Sequence, residues 1–103
     1  MTPEGKVKAE IKNILKKHGV WYFMPRGTVL GSAGIPDFIC CIAGKFVAIE
    51  AKSATGRLSA MQYRQIELIR NQGNGIVMVV CPESLDILDE SLGELLHERE
   101  KTC

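Results

Sequence analysis

Asp37-Phe38-Ile39-Cys40-Cys41-Ile42-Ala43-Gly44-Lys45-Phe46-Val47-Ala48-Ile49-Glu50-Ala51-Lys52 is the stretch on which the fold turns. Two runs rich in β-branched and aromatic residues flank Gly44-Lys45, a Gly-X pair that suits a two-residue type II′ turn. They predict an antiparallel hairpin of strands 37–43 and 46–52, with Ala43 paired to Phe46, Ile39 to Glu50 and Asp37 to Lys52. Successive side chains on a strand point to opposite faces, so Asp37, Ile39, Cys41, Ala48, Glu50 and Lys52 share one face. Phe38, Cys40, Ile42, Val47, Ile49 and Ala51 share the other, which is wholly apolar. Two carboxylates and an ammonium therefore gather at the open end of the hairpin, among residues that are otherwise hydrophobic.

Upstream, Thr2-Pro3-Glu4 supplies an N-cap, a proline for the first helical position and an acid for the first turn, and Gly19 marks the end. The spacing predicts a helix over 3–18 with Val7, Ile11, Ile14 and Leu15 inward and Lys8, Lys12 and Lys16 outward. Residues 20–24 read as a strand, and 25–34 as a mobile glycine-rich loop. Downstream of a polar connection at 53–58, Ser59 and Gln62 form a capping box for a helix that runs to Gly73. Residues 76–80 have the continuous apolarity of a central strand covered on both faces. From Pro82 onward, Leu85, Leu88, Leu92, Leu95 and Leu96 follow helical spacing. The expected order is αβββαβα, an α/β domain with a mixed sheet flanked by helices; it spans 1–103, with 82–103 an acidic amphipathic C-terminal helix.

A chain of 103 residues, 46% hydrophobic and 24% charged, has room for one folded domain and is not a disordered composition. The longest apolar run, 75–81, is too short to cross a bilayer, and no signal-peptide pattern is visible, so a soluble, cytoplasmic protein is expected. Four cysteines without a CxxC pair argue for free thiols over a disulfide framework or zinc knuckle. The net charge of +1 conceals an asymmetry: residues 1–82 carry eleven Lys/Arg against five Asp/Glu, and 83–103 carry two against seven. A basic body suits a polyanionic partner; the acidic segment is either a solvated face or lies against a basic surface.

The ionisable group at the hairpin end admits two readings. It is either an ion-pair cluster closing a sheet, or a hard-oxygen site in which Asp37 and Glu50 hold Mg²⁺ or Mn²⁺ while Lys52 offsets developing negative charge. Glu10, three residues after Val7, is directed toward the buried side of its helix, where it is a third acid of the cluster or a carboxylate snorkelling at the margin. Gln62 either completes the cap with Ser59 or looks back at the hairpin end, where an amide can hold a water or phosphate oxygen. His18 and His97 fall outside the cluster.

Taken together, Gly34-Ile35-Pro36-Asp37, Ile49-Glu50-Ala51-Lys52-Ser53 and Gly56-x-Leu58-Ser59-x-x-Gln62 resemble the PD-(D/E)XK nuclease superfamily, specifically its virus-type replication-repair nuclease (VRR-NUC) family. The resemblance covers residues 10–80 and implies a restriction-endonuclease-like core. It further implies that Asp37, Glu50 and the Ala51 carbonyl ligate a divalent metal, with Glu10 completing the acidic cluster. Lys52 is then the catalytic lysine, and Gln62 supports the metal or its water. The expected activity is Mg²⁺- or Mn²⁺-dependent hydrolysis of phosphodiester bonds in branched DNA by a homodimer, in the manner of phage and bacterial Holliday-junction resolvases. A flap or single-strand nuclease, or a non-catalytic nucleic-acid-binding module, is the alternative. Lys8, Lys12, Arg26, Lys45, Arg57 and Arg64 are candidate phosphate contacts that would orient DNA without reading its sequence. Trp21, Tyr22, Phe23 and the terminal leucine face are candidate interface surfaces, or else core.

Overall fold

The hairpin turn is made by Ala43 and Gly44, with φ values of 52° and 79°, in a computed structural model that describes residues 1–26 and 33–102, with side chains through 98. Two consecutive positive φ values are the type I′ pattern, so the expected type II′ turn on Gly44-Lys45 is replaced by one placed a residue earlier. Strands β2 (Phe38–Ile42) and β3 (Lys45–Ala51) accordingly pair Ile42 with Lys45 and Phe38 with Ile49. One step further out, Asp37 comes level with Glu50, not with Lys52. Holding Ala43 at positive φ costs about 1–2 kcal/mol. That cost is offset at the open end, where the Asp37 and Ala51 amides each donate to a carboxylate across the pair. The shift moves the pairing by two residues, a full side-chain period, so the expected division of faces survives it.

Around the hairpin, β1 (Trp21–Phe23) pairs antiparallel with β2, and β4 (Ile76–Val80) pairs parallel with β3, giving a mixed sheet ordered β1-β2-β3-β4. The apolar face packs Phe38, Cys40, Ile42, Val47, Ile49 and Ala51 against Val7, Ile11 and Leu15 of α1 (Pro3–Lys17) and Leu88 and Leu92 of α3 (Leu85–Thr102). The opposite face buries Ala48 and Val77 under Ile66 of α2 (Ala60–Glu67), which continues through a π-helical stretch, Leu68–Gln72, to Gly73. The domain is therefore α/β, a four-stranded mixed sheet between helical layers. Burying such side chains contributes about 1.5–3 kcal/mol each before entropy is counted.

One expectation changes, one open alternative is decided, and one reading falls outside the described residues. The strand at 76–80 lies at the edge of the sheet; its apolarity reflects helices on both faces, which says nothing about whether its hydrogen-bonding edge is paired. The leucine face of α3 is core, with Leu88 and Leu92 buried, so it is not free surface. The glycine-rich loop reading falls mainly on 27–32, outside the described residues. Among the described residues no helix is long and apolar enough to cross a membrane.

Candidate functional site

The sheet end beyond Phe38 and Ala51 holds the one buried charged side chain among the described residues, Glu50, which is 2% exposed. Its Oε1 accepts from the Asp37 amide at 3.2 Å, and Asp37 Oδ2 accepts from the Ala51 amide at 2.8 Å. The two carboxylates are thus fixed side by side by each other's strands. Lys52 Nζ stands 3.8 Å from Glu50 Oε2 and its side chain is largely covered. Its backbone amide continues the ladder to the Val80 carbonyl at 2.8 Å.

Gln62 closes the cap and also looks back at the hairpin end, where it meets Glu50. Its Oε1 accepts from the Ser59 amide at 2.8 Å, closing the capping box, and its Nε2 donates to Glu50 Oε2. An amide can do this because its two ends have opposite hydrogen-bonding character. Gly34 makes the arrangement possible. Its φ is +80°, and a β-carbon there would lie 2.5 Å from the Met61 carbonyl carbon and 2.7 Å from the Gln62 nitrogen. The approach to Asp37 therefore packs backbone to backbone on the first turn of α2.

The acid contributed by α1 is Glu4, not Glu10. Because α1 covers the apolar face, away from Glu50, its side chains reach the cluster only around the end of the sheet, from its first turns. Glu4 Oε1 stands 3.7 Å from Lys52 Nζ, and Lys8 Nζ bridges Glu4 at 3.8 Å and Asp37 Oδ1 at 3.3 Å. Glu10 is exposed and lines a separate crevice with Ser53 and Pro82. Glu4 is legible in the sequence only as a first-turn acid four residues before Lys8, a pattern shared by many solvent-exposed helices.

Burial, reinforced by hydrogen bonding and repulsion from Asp37, raises the Glu50 pKa to about 8, against an opposing pull from Lys52. A carboxyl poised this way is relieved by an added positive charge at the pair. Among the described residues no three His, Cys, Asp or Glu side chains converge, so the side-chain donor set is two carboxylates. That set fits Mg²⁺ or Mn²⁺, which take one or two carboxylates and fill their remaining positions with water and phosphate oxygens. It does not fit a structural zinc site.

Of the basic residues, Lys8 is engaged with the acids, and Arg57 is exposed in the connection after Lys52. Lys12 is half-buried on α1, and Arg64 is exposed on α2. Arg26 is exposed immediately before the residues outside the description. Lys45 lies at the turn end of the hairpin, away from the acids, bound to Glu98 at 2.6 Å. His18 bonds Asp89 and ties the end of α1 to α3. Cys40, Cys41 and Cys81 are free thiols, and burial pushes Cys40 up to about 12. Comparison of the chain with family models, curated proteins and solved structures finds no match in any of the three.

Proposed function

We propose that the protein is a divalent-metal-dependent DNA endonuclease of the PD-(D/E)XK type, related to the VRR-NUC family, acting on branched DNA. The observation that carries this reading is the fixed pair Asp37–Glu50 with Lys52 and Gln62 converging on it. Asp37, Glu50 and the backbone at Ala51 would hold Mg²⁺ or Mn²⁺, which when bound supplies charge neutralisation at a phosphate and a more acidic water. Lys52, mostly shielded from solvent and tethered through its own ladder hydrogen bond, holds an ammonium where negative charge develops on the phosphate oxygens. Gln62 fixes the Glu50 rotamer, and its cap ties that rotamer to α2.

The basic surface supplies sequence-independent phosphate contacts, with Arg57 and Arg64 exposed on the α2 side of the sheet. A homodimer belongs to the same proposal. A four-way junction has two-fold symmetry and its paired cuts need two sites, one from each copy.

The test is cleavage of four-way, flapped and linear DNA with Mg²⁺, Mn²⁺ or neither. The expected result is metal-dependent cutting of branched DNA. Glu50→Gln and Lys52→Ala each lower the rate by about a hundredfold or more while DNA binding persists. Glu50→Gln keeps a neutral side chain of the same shape at the buried position, so the variant stays folded and its lost turnover reads the chemistry. Unchanged turnover in either variant removes the catalytic assignment.

A further inference from the structure

Lys52 is shared between the acidic pair and a neighbouring cleft of about 560 Å³. The walls of that cleft include Arg57, Leu58, Tyr63, Val79 and Cys81. They combine an apolar floor with two cations, and among the described residues they contain no carboxylate. Tyr63, the one aromatic ring in the lining among the described residues, is 56% exposed, and Val79 is 38% exposed. A second cavity, of about 290 Å³, is also lined by Leu58, Tyr63 and Val79, so Tyr63 borders open space in both. An aromatic ring held clear of the core on a helix, within one cleft of an arginine and a lysine, is a stacking platform beside two phosphate-binding groups.

The volume lies within the range of small-ligand clefts, roughly 300–1,000 Å³, and is too small to admit a duplex. A paired base remains inside its stack and cannot reach Tyr63. An unpaired one can.

We propose that this cleft is a subsite for a single unpaired nucleotide adjoining the scissile phosphate, its base stacked on Tyr63 and its phosphate held by Arg57 and Lys52. The subsite rests on the nuclease reading above and narrows it. Branched DNA would be selected by the unpaired nucleotide it offers at a flap base or an opened junction, not by its overall shape alone.

The experiment measures binding of the full chain, in EDTA so that nothing is cut, to a short single strand, a blunt duplex of the same sequence, and a flapped duplex carrying 2-aminopurine at its first unpaired position. The single strand and the flap should bind more tightly than the blunt duplex, with the 2-aminopurine fluorescence quenched by stacking. Tyr63→Ala should weaken binding of the single strand about tenfold and abolish the quench, while Tyr63→Phe keeps both. Circular dichroism melts establish that the variants are folded, and quenching by the unsubstituted chain stands independently of them. An unquenched flap, or a Tyr63→Ala chain that binds single strands as the parent does, overturns the subsite. Adding Mg²⁺ to the same DNAs separates the two claims. Cutting that ignores Tyr63 and the unpaired base leaves the nuclease and removes the subsite, whereas Tyr63-dependent binding with no metal-dependent cutting leaves a nucleotide cleft and removes the nuclease.

Discussion

Glu50 is a carboxyl placed where its charged form is expensive, and the expense depends on pH. With a folded pKa of about 8 against an ordinary 4.5, the folded chain binds a proton that the unfolded chain has released. The contribution of this group to stability is therefore fully present below about 4.5 and is lost as pH rises through about 8. The metal-free chain should lose stability relative to its Glu50→Gln variant across that window, and Mg²⁺ should raise the melting temperature more at the alkaline end than at the acid end. Melts of both chains at several pH values, with and without Mg²⁺, check this; parallel pH profiles would mean that Glu50 is ionised throughout. The residues of this site were largely legible in the sequence, because a Glu and a Lys in a strand otherwise hydrophobic on both faces stand out. Glu4 was not, since nothing local distinguishes an acid that rounds the end of a sheet from one that faces water.

At the level of elements, the site depends on how closely the approach to β2 meets the first turn of α2. Gly34 sits at φ +80° with no room for a side chain, so Gly34→Ala must displace either the path to Asp37 or the turn that carries Gln62. The expected cost is about 2 kcal/mol or more in urea unfolding, accompanied by weakened cleavage as Gln62 withdraws from Glu50. Wild-type stability and activity in this variant would show that the contact is slack. The hairpin illustrates what local sequence does and does not determine. Turn chemistry at Ala43-Gly44-Lys45 is compatible with two registers, and the choice between them is made at the far end, by backbone amides donating to Asp37 and Glu50. The faces were readable because both registers preserve alternation. The opposition of Asp37 to Glu50 was not, because it depends on contacts at the far end of the hairpin from the turn. The edge position of β4 was likewise hidden, since strand order is a property of the whole sheet.

In the whole molecule, the charge asymmetry is met in part internally: Asp89 binds Lys17 and His18, and Glu98 binds Lys45, so part of the acidic helix lies against the basic body. These solvent-screened pairs each contribute little, and α3 is held chiefly by Leu88 and Leu92. Among the described residues, part of the apolar surface at the β1 edge of the sheet is exposed. Trp21 and Phe23, 61% and 47% exposed and edge-to-face at 5.8 Å, project from β1 on the face that carries Asp37 and Glu50. Antiparallel pairing of two β1 strands about a dyad perpendicular to the sheet would join two four-stranded sheets and place both acidic pairs on the same side. That is the disposition two cuts in one branched DNA require. If the homodimer forms this way, a Trp21→Lys, Phe23→Glu double variant should run as a monomer in size-exclusion chromatography with light scattering. Its melting temperature should change little, because both rings are already largely solvated, and its cutting of four-way junctions should give single nicks in place of paired incisions. A dimer that survives the double substitution would place the interface elsewhere, and a parent chain that is monomeric with DNA bound would remove the dimer altogether.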